Sequence, residues 1–406
     1  MPDINDQQRR VQAAGTAVDI ARTFVADVVA PVAADLDRQT NPEDCFSWDI
    51  VDKGSACGLR TLTLLPEYGG AGADCVTTAM VVEELAKGDM GVSVVFAQTL
   101  KLIQALQGAA TDAQRARVLP AVRDDPRCLL AIGMTEPQTS SNYIIPYRPA
   151  GFVTRATRQG TKWVINGKKR FISNGNRARF YLLFAQTNPD KGLNEGSTCF
   201  LIERGTPGFT TGHVEDKMGE RLANNAELIF NDCCVPDENV LGVVDRGFDV
   251  ISEFFPASNA YAAASVLGVA VAAYERSLAW TRERVQGGQR LIDHDIVAAQ
   301  LAEMHMLIEA ARAYIHQAAW RADHKETGWD PTLGALPKVF ASEVSWKVVT
   351  KALELHGGYG YMRDGGFEKL VRDAACFIHS DGVNRTLLLK AAQFIRANTH
   401  HEDPLG

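Results

Sequence analysis

The chain has 406 residues, is 46% apolar and carries 42 Lys and Arg against 49 Asp and Glu, a net charge of -7. That apolar content suffices for a large core in two or three domains, and an acidic balance with no basic run excludes nonspecific attachment to nucleic acid or an anionic membrane surface. The opening MPDINDQQRR is polar with no apolar stretch behind it, and no run of about 18 apolar residues occurs, so a cytoplasmic protein that neither spans nor coats a membrane is expected.

Residues 1–125 form the first compositional unit. From about residue 8 the apolar side chains recur at helical spacing, as in Val18, Ala21, Val25, Val28 and Val32, with breaks expected at Pro31 and at the Gly-rich PEYGGAG. The second unit, 126–240, turns to short β-rich runs. FVTRATRQGTKWVINGKKRFISNG reads as a hairpin, and STCFLIERG and AELIFNDCCVP as further strands. In the third unit, 241–406, long amphipathic patterns return at roughly 251–286, 291–326, 334–356 and 383–398, enough for a four-helix bundle. Helices, then strands, then helices predict an α+β class with an N-terminal helical domain, a central β-barrel-like domain and a C-terminal bundle, not alternating βαβ units. HGGYGYMRDGG lacks G-x-G-x-x-G and follows a helix pattern, so it is not a Rossmann loop.

The eight cysteines are scattered, with neither a C-x-x-C pair nor a histidine at ligand spacing, so reduced core thiols are expected and no metal site. In a strand the adjacent Cys233 and Cys234 point to opposite faces.

GMTEPQTSSN, INGKKRFISNG, KMGERLANNAELIFNDCCVPDENVLG, LHGGYGY and FEKLVRDA, in that order, resemble the acyl-CoA dehydrogenase family over nearly the whole chain. The resemblance implies FAD held between the middle domain and the bundle and across a subunit contact. It also implies an acyl-CoA or related substrate, an electron-transfer flavoprotein or other acceptor, and a homotetramer built as a dimer of dimers, with a heterotetramer as the alternative.

What the resemblance implies for single residues follows the motifs. Met134 and Thr135 fall where the family binds the flavin's pyrimidine edge, at which donors stabilise the charge that accumulates on reduction. Phe171 matches an aromatic residue against the ring and Ser173 a hydroxyl beside it; the plainer reading makes Phe171 strand core and Asn174-Gly175 a hairpin turn. Ser141 matches a serine near the CoA moiety, although its neighbours Thr139, Ser140 and Asn142 depart from the family's Ala-Gly-Ser-Asp. Arg284 matches the arginine that reaches a neighbouring subunit's pyrophosphate, with Gly287 where the family has Phe; a solvated helix charge is the alternative. Gly357 and Gly358 match the close-approach glycines, and Glu354 stands where a side chain bonds the flavin's ribose.

The reaction of such a family needs a carboxylate in a dry pocket to take the α-proton while the β-hydrogen leaves as hydride. Seven residues beyond Ala374 of the RDA motif stands Asp381, followed by Gly382, where much of the family has Glu-Gly. One methylene fewer shortens the reach by about 1.5 Å, a large fraction of the roughly 3–3.5 Å approach distance. The other reading makes Asp381 the cap of the closing helix. The family's second base position, on the first bundle helix, falls on Ser258, with Asn259 in place of an arginine; both would face substrate, and neither can replace a carboxylate. Glu253 lies too far along that helix, and His379 is a candidate second acid–base group. The leading reading is therefore acyl-CoA α,β-dehydrogenation with Asp381 as base. A flavin-dependent monooxygenase or oxidase of the same fold, and a non-catalytic subunit of a hetero-oligomer, are the alternatives.

Overall fold

The computed structural model describes residues 4–140, 151–327, 330 and 332–399. Helix α1 (Ile4–Phe24) passes through one π turn, Val25–Val29, into α2 (Ala30–Asp37). Pro31 does not end this helix. It sits in the first turn of α2, just beyond the wider π turn, where a missing N–H and the ring's bulk are accommodated. The π turn also shifts the helical phase, so Val18, Ala21 and Val29 are buried while Val32 is 38% exposed. Then come α3 (Trp48–Ala56), α4 (Cys75–Gly88), α5 (Met90–Ala109) and α6 (Asp112–Asp124). Their starts are set by side-chain caps: Asp74 accepts from Thr77 N at 2.7 Å, Asp89 from Val92 N at 2.9 Å, and Thr111 with Gln114 closes a capping box.

The middle of the chain supplies β1 (Leu130–Gly133), β2 (Arg155–Gln159), β3 (Lys162–Ser173), β4 (Phe180–Gln186), the single turn α7 (Leu193–Gly196), β5 (Ser197–Glu203), β6 (Phe209–Val214), β7 (Asn225–Pro236) and β8 (Val240–Leu241). Among the described residues they form one mixed sheet in the order β6-β7-β3-β2-β4-β5-β8, with β1 parallel to β4. The β2–β3 hairpin turns at Gly160, where φ is +64°. The Asn174-Gly175 turn closes no hairpin: β3 is flanked by β2 and β7, and the turn carries the chain past β2 to β4. Asn174 is instead buried, its Nδ2 donating to Val95 O and Leu130 O, which ties the end of β3 to α5 and β1. Cys233 is buried and Cys234 exposed, as strand alternation requires.

Helix α8 (Gly247–Glu283) leads into a two-residue hairpin of β9 (Val285–Gln286) and β10 (Gln289–Arg290), whose turn residues Gly287 and Gly288 have φ of +61° and +85°. Two successive positive φ values call for glycine, which accounts for Gly287. Next are α9 (Asp295–Asp323), α10 (Thr332–Leu355), the short α11 (Gly357–Tyr361), α12 (Phe367–Ala374) and α13 (Asn384–Thr399). Helix α8 is the centre of the molecule. Its residues Ala257–Glu283 are long and apolar enough to cross a membrane, yet 94% of the qualifying window is buried against other elements, as in a core helix. Small residues let α4 approach it; a Cβ on Gly268 would stand 2.3 Å from Glu83 O.

One buried pair joins the segment after β1 to the hairpin. Glu136 and Lys169 have fully buried side chains, with Lys169 Nζ 2.7 Å from Glu136 Oε1. The Glu136 carboxylate also accepts from Val153 N at 2.6 Å and Thr154 N at 3.0 Å, and Lys169 donates to Met134 O at 3.1 Å and lies 3.8 Å from the centre of the Phe152 ring. Burial pulls Lys169 down to about 8 against the attraction of Glu136. Removing one partner leaves an uncompensated buried charge, so Lys169→Met is expected to cost about 3–5 kcal/mol in denaturant unfolding. The double variant Lys169→Met, Glu136→Gln should lose less than the sum of the single changes.

Candidate active site

A cavity of about 510 Å³ opens between the sheet, α5 and the C-terminal helices. Ile132, Met134 and Thr135 line it from β1 and the turn beyond, Phe171 and Ser173 from the end of β3, and Ser258 and Asn259 from α8. The segment between α12 and α13 contributes Cys376, His379, Asp381 and Gly382. Met134, Thr135, Phe171, Ser173, Ser258, Asn259, Asp381 and Gly382 are thus brought together. Ser141 lies outside the described residues.

The flavin-side candidates are held by backbone. Thr135 O accepts from Arg170 N at 2.9 Å, and Met134 O is bound by Lys169. A register shift between Lys169 and Ile172 in the β3–β7 ladder puts Phe171 at φ +61° and leaves it 51% exposed. Phe171 is therefore not strand core: the bulge turns its ring out of the sheet. The Arg170 guanidinium lies 4.8 Å from the ring centre and is itself anchored by Glu215 at 2.8 Å. Asn225 Nδ2 donates to Phe171 O at 3.0 Å and to Ser173 Oγ at 3.4 Å, while Lys217 Nζ holds Asn225 Oδ1 at 2.8 Å. Sequence reading did not single out Asn225 or Lys217, although both stand in the KMGERLANN stretch. Two hydroxyls and an exposed aromatic ring at one cavity are a donor set that suits the polar edge and flat face of a flavin.

Asp381 has φ +48°, and its half-exposed carboxylate lies with Oδ2 3.7 Å from Lys101 Nζ of α5. Gly382, at φ +96°, is gripped by Lys338 of α10, whose ammonium donates to Gly382 O at 2.7 Å and to Asn384 Oδ1 at 3.0 Å. Burial pulls Lys338 down to about 8, although the charge of Asp381 favours its protonated form. Among the described residues the Asp381 carboxylate accepts no hydrogen bond from the first turn of α13, so the geometry does not make it that helix's cap. Neither Lys101 nor Lys338 stands in any of the motifs, and no short-range signal marks them. Cys376 is hydrogen-bonded to Glu220 at 3.1 Å, and burial pushes its thiol up, which keeps it protonated and poorly nucleophilic. His379 is exposed at the cavity rim.

Arg284, Glu354, Gly357 and Gly358 do not line the cavity; all are exposed. Arg284 and the glycine break nevertheless share one surface. The Arg284 guanidinium lies 5.7 Å from the Trp280 ring centre, and Trp280 stacks on Tyr359 at 5.1 Å and on His356 at 5.2 Å. Arg284 thus lies exposed beside this aromatic stack at the end of α8.

The KMGE and RDA segments clamp each other. Asp373 Oδ1 accepts from Glu220 N at 2.7 Å, and Arg372 donates to Met218 O at 2.8 Å while pairing with Asp37 and Glu368. A Cβ on Gly219 would stand 2.4 Å from Arg372 O, a backbone atom that cannot step aside cheaply. Gly219→Ala is expected to lower stability by about 1–3 kcal/mol, measured by denaturation, and to lower the flavin content of the purified protein because the cavity wall must shift.

Comparison with known proteins agrees with this layout. The chain matches the family models for the acyl-CoA dehydrogenase N-terminal domain over residues 14–125, the middle domain over 131–233 and the C-terminal domain over 245–395. It is 34% identical over 377 residues to the short-chain-specific acyl-CoA dehydrogenase of Megasphaera elsdenii, covering 91% of this chain and 94% of that one. It is also 34% identical over 391 residues to the cyclohexane-1-carbonyl-CoA dehydrogenase of Syntrophus aciditrophicus, covering 94% and 96%. The solved structure of butyryl-CoA dehydrogenase from Megasphaera elsdenii superposes with a TM-score of 0.88 at 32% identity, covering 95% of this chain and 98% of that one.

Proposed function

The chain belongs to the acyl-CoA dehydrogenase family, and on that premise we propose that Asp381 takes the α-proton of an acyl-CoA thioester in the cavity that Thr135, Phe171 and Ser173 also line. It is an FAD-dependent oxidoreductase acting on a CH–CH bond. Bound FAD supplies the acceptor for the β-hydrogen and its electron pair. The protein's own part is to place groups around that exchange. Thr135 and Ser173 offer hydroxyls, Phe171 offers a ring, and Asp381 offers a carboxylate that lines the cavity.

The observation that carries the assignment is the setting of Asp381. Among the described residues its carboxylate caps no helix; it lines the cavity and sits on a left-handed backbone residue, a conformation that costs a non-glycine residue on the order of 1–3 kcal/mol. Lys338 holds the next carbonyl and so over-determines that backbone. A fixed backbone matters more for Asp than for Glu, because one fewer methylene leaves less freedom to correct a misplaced carboxylate.

For the substrate we propose a short or cyclic acyl group. Support comes from the names of the relatives. An electron-transfer flavoprotein is the proposed oxidant of the reduced enzyme. We also propose a homotetramer. Phe340, Trp346, Tyr361, Leu388, Leu389 and Ile395 are exposed on the C-terminal helices, and Arg284 with Gly357 and Gly358 stands on a surface from which to reach a neighbour's dinucleotide.

The test is anaerobic mixing of the FAD-loaded protein with short-chain and alicyclic acyl-CoA thioesters, followed by flavin bleaching. Asp381→Asn is expected to slow bleaching by about 10²- to 10⁴-fold with the oxidised flavin spectrum unchanged. An Asn variant as fast as wild type would remove Asp381 from the base role.

A further inference from the structure

Helix α5 is apolar over most of its length, with Val95, Phe96, Leu100, Leu102 and Ile103 all buried. Lys101 interrupts that sequence, and its side chain is only 8% exposed. A buried ammonium is tolerated where it meets an opposite charge. Among the described residues Lys101 has one such partner, Asp381, at 3.7 Å. We propose that Lys101 is the positioning residue for Asp381, the cation that directs this carboxylate within the cavity; the inference rests on the assignment of Asp381 as the base.

Lys338 is the other cation that feels the charge of Asp381, and the remaining groups around the cavity are neutral or paired. From α8 the cavity receives the neutral Ser258 and Asn259, each 5% exposed. From α10 comes Lys338, whose hydrogen bonds go to Gly382 O and Asn384 Oδ1 and fix the backbone. In the link between β6 and β7, Lys217 pairs with Glu220, Glu215 with Arg170, and Asp216 with Arg221. Arg372 of α12 is committed to Asp37 and Glu368. On α13, Lys390 lies 5.6 Å from the Phe255 ring centre and Arg385 is exposed. His379 and the protonated thiol of Cys376 complete the titratable groups on Asp381's own segment.

The distance has a chemical meaning. At 3.7 Å the two charges attract, but the contact is too long for a hydrogen bond. Lys101 therefore holds the carboxylate by charge without donating a hydrogen bond to the oxygen that takes the α-proton. A nearby cation favours the charged form of a carboxylate, so a pH profile reads this contact in a way that a merely structural role would not.

The experiment compares wild type, Asp381→Asn, Lys101→Met and Lys101→Arg as FAD-loaded proteins. The pH profile of anaerobic bleaching by butyryl-CoA is one readout. The other is the infrared carboxylate titration of Asp381, taken as the difference from Asp381→Asn without substrate. Lys101→Met is expected to move the acid limb and the infrared midpoint upward, and Lys101→Arg to restore both toward wild type. Should Lys101→Met not accumulate, Lys101→Gln carries the same comparison. If Asp381→Asn bleaches slowly while the neutral Lys101 variant keeps the wild-type limb and midpoint, the inference about Lys101 fails and the base assignment stands. An Asp381→Asn variant as fast as wild type overturns both.

Discussion

The cavity depends on a buried ion pair that touches no substrate. Glu136 and Lys169 are out of water, and their remaining hydrogen-bonding capacity is spent on the backbone of the two segments that they join. Such a pair is a poor source of net stability, because desolvation offsets much of the attraction. It is a demanding geometric condition, however. With Glu136 accepting from Val153 N and Thr154 N, and Lys169 bound to Met134 O, the turn that carries Thr135 has one docking position against β3. Thr135 O then receives Arg170 N, one residue from the bulge that turns Phe171 outward. Thr135 and Phe171 are placed at the cavity by this chain of constraints.

Left-handed backbone marks the same region. Of the non-glycine residues with positive φ, Phe171, Glu220 and Asp381 all line the cavity. Each is held by neighbours that would have to move for it to relax. A bulge and Asn225 fix Phe171, Asp373 binds Glu220 N, and Lys338 reaches the carbonyl next to Asp381. Strain of this kind persists where the surroundings over-determine it, and here the surroundings are the three units of the chain meeting at one place. Neither the middle domain nor the bundle makes the site alone.

What the sequence disclosed follows from the range of the forces involved. Helical periodicity gave α8, α9, α10 and α13 within a few residues, because apolar spacing is a local record of which face is buried. The β2–β3 hairpin was legible for the same reason. The π turn before Pro31 was not, since a proline in a helical pattern reads as a break until the wider turn is seen to absorb it. Asn174-Gly175 looked like a hairpin because turn chemistry says that the chain reverses, not which strands pair. The motifs located Thr135, Phe171, Ser173 and Asp381. The groups that hold them, Lys101, Lys338 and Asn225, come from distant segments and carry no spacing signal.

The exchange of Glu for Asp at the base position shows why those distant groups matter. Seen along the chain, the shorter side chain and the missing arginine at Asn259 both weaken the case for a working base. In three dimensions each change has a counterpart. A left-handed backbone secured by Lys338 places the short carboxylate, and the ammonium groups of Lys338 and Lys101 both stand near it, the latter on a helix that contributes none of the motifs. A carboxylate needs a nearby positive potential and a fixed origin, and electrostatics does not specify which helix supplies them. With Asp381 as the proposed base, the reaction constrains the field at that carboxylate more tightly than it constrains the residues that make it.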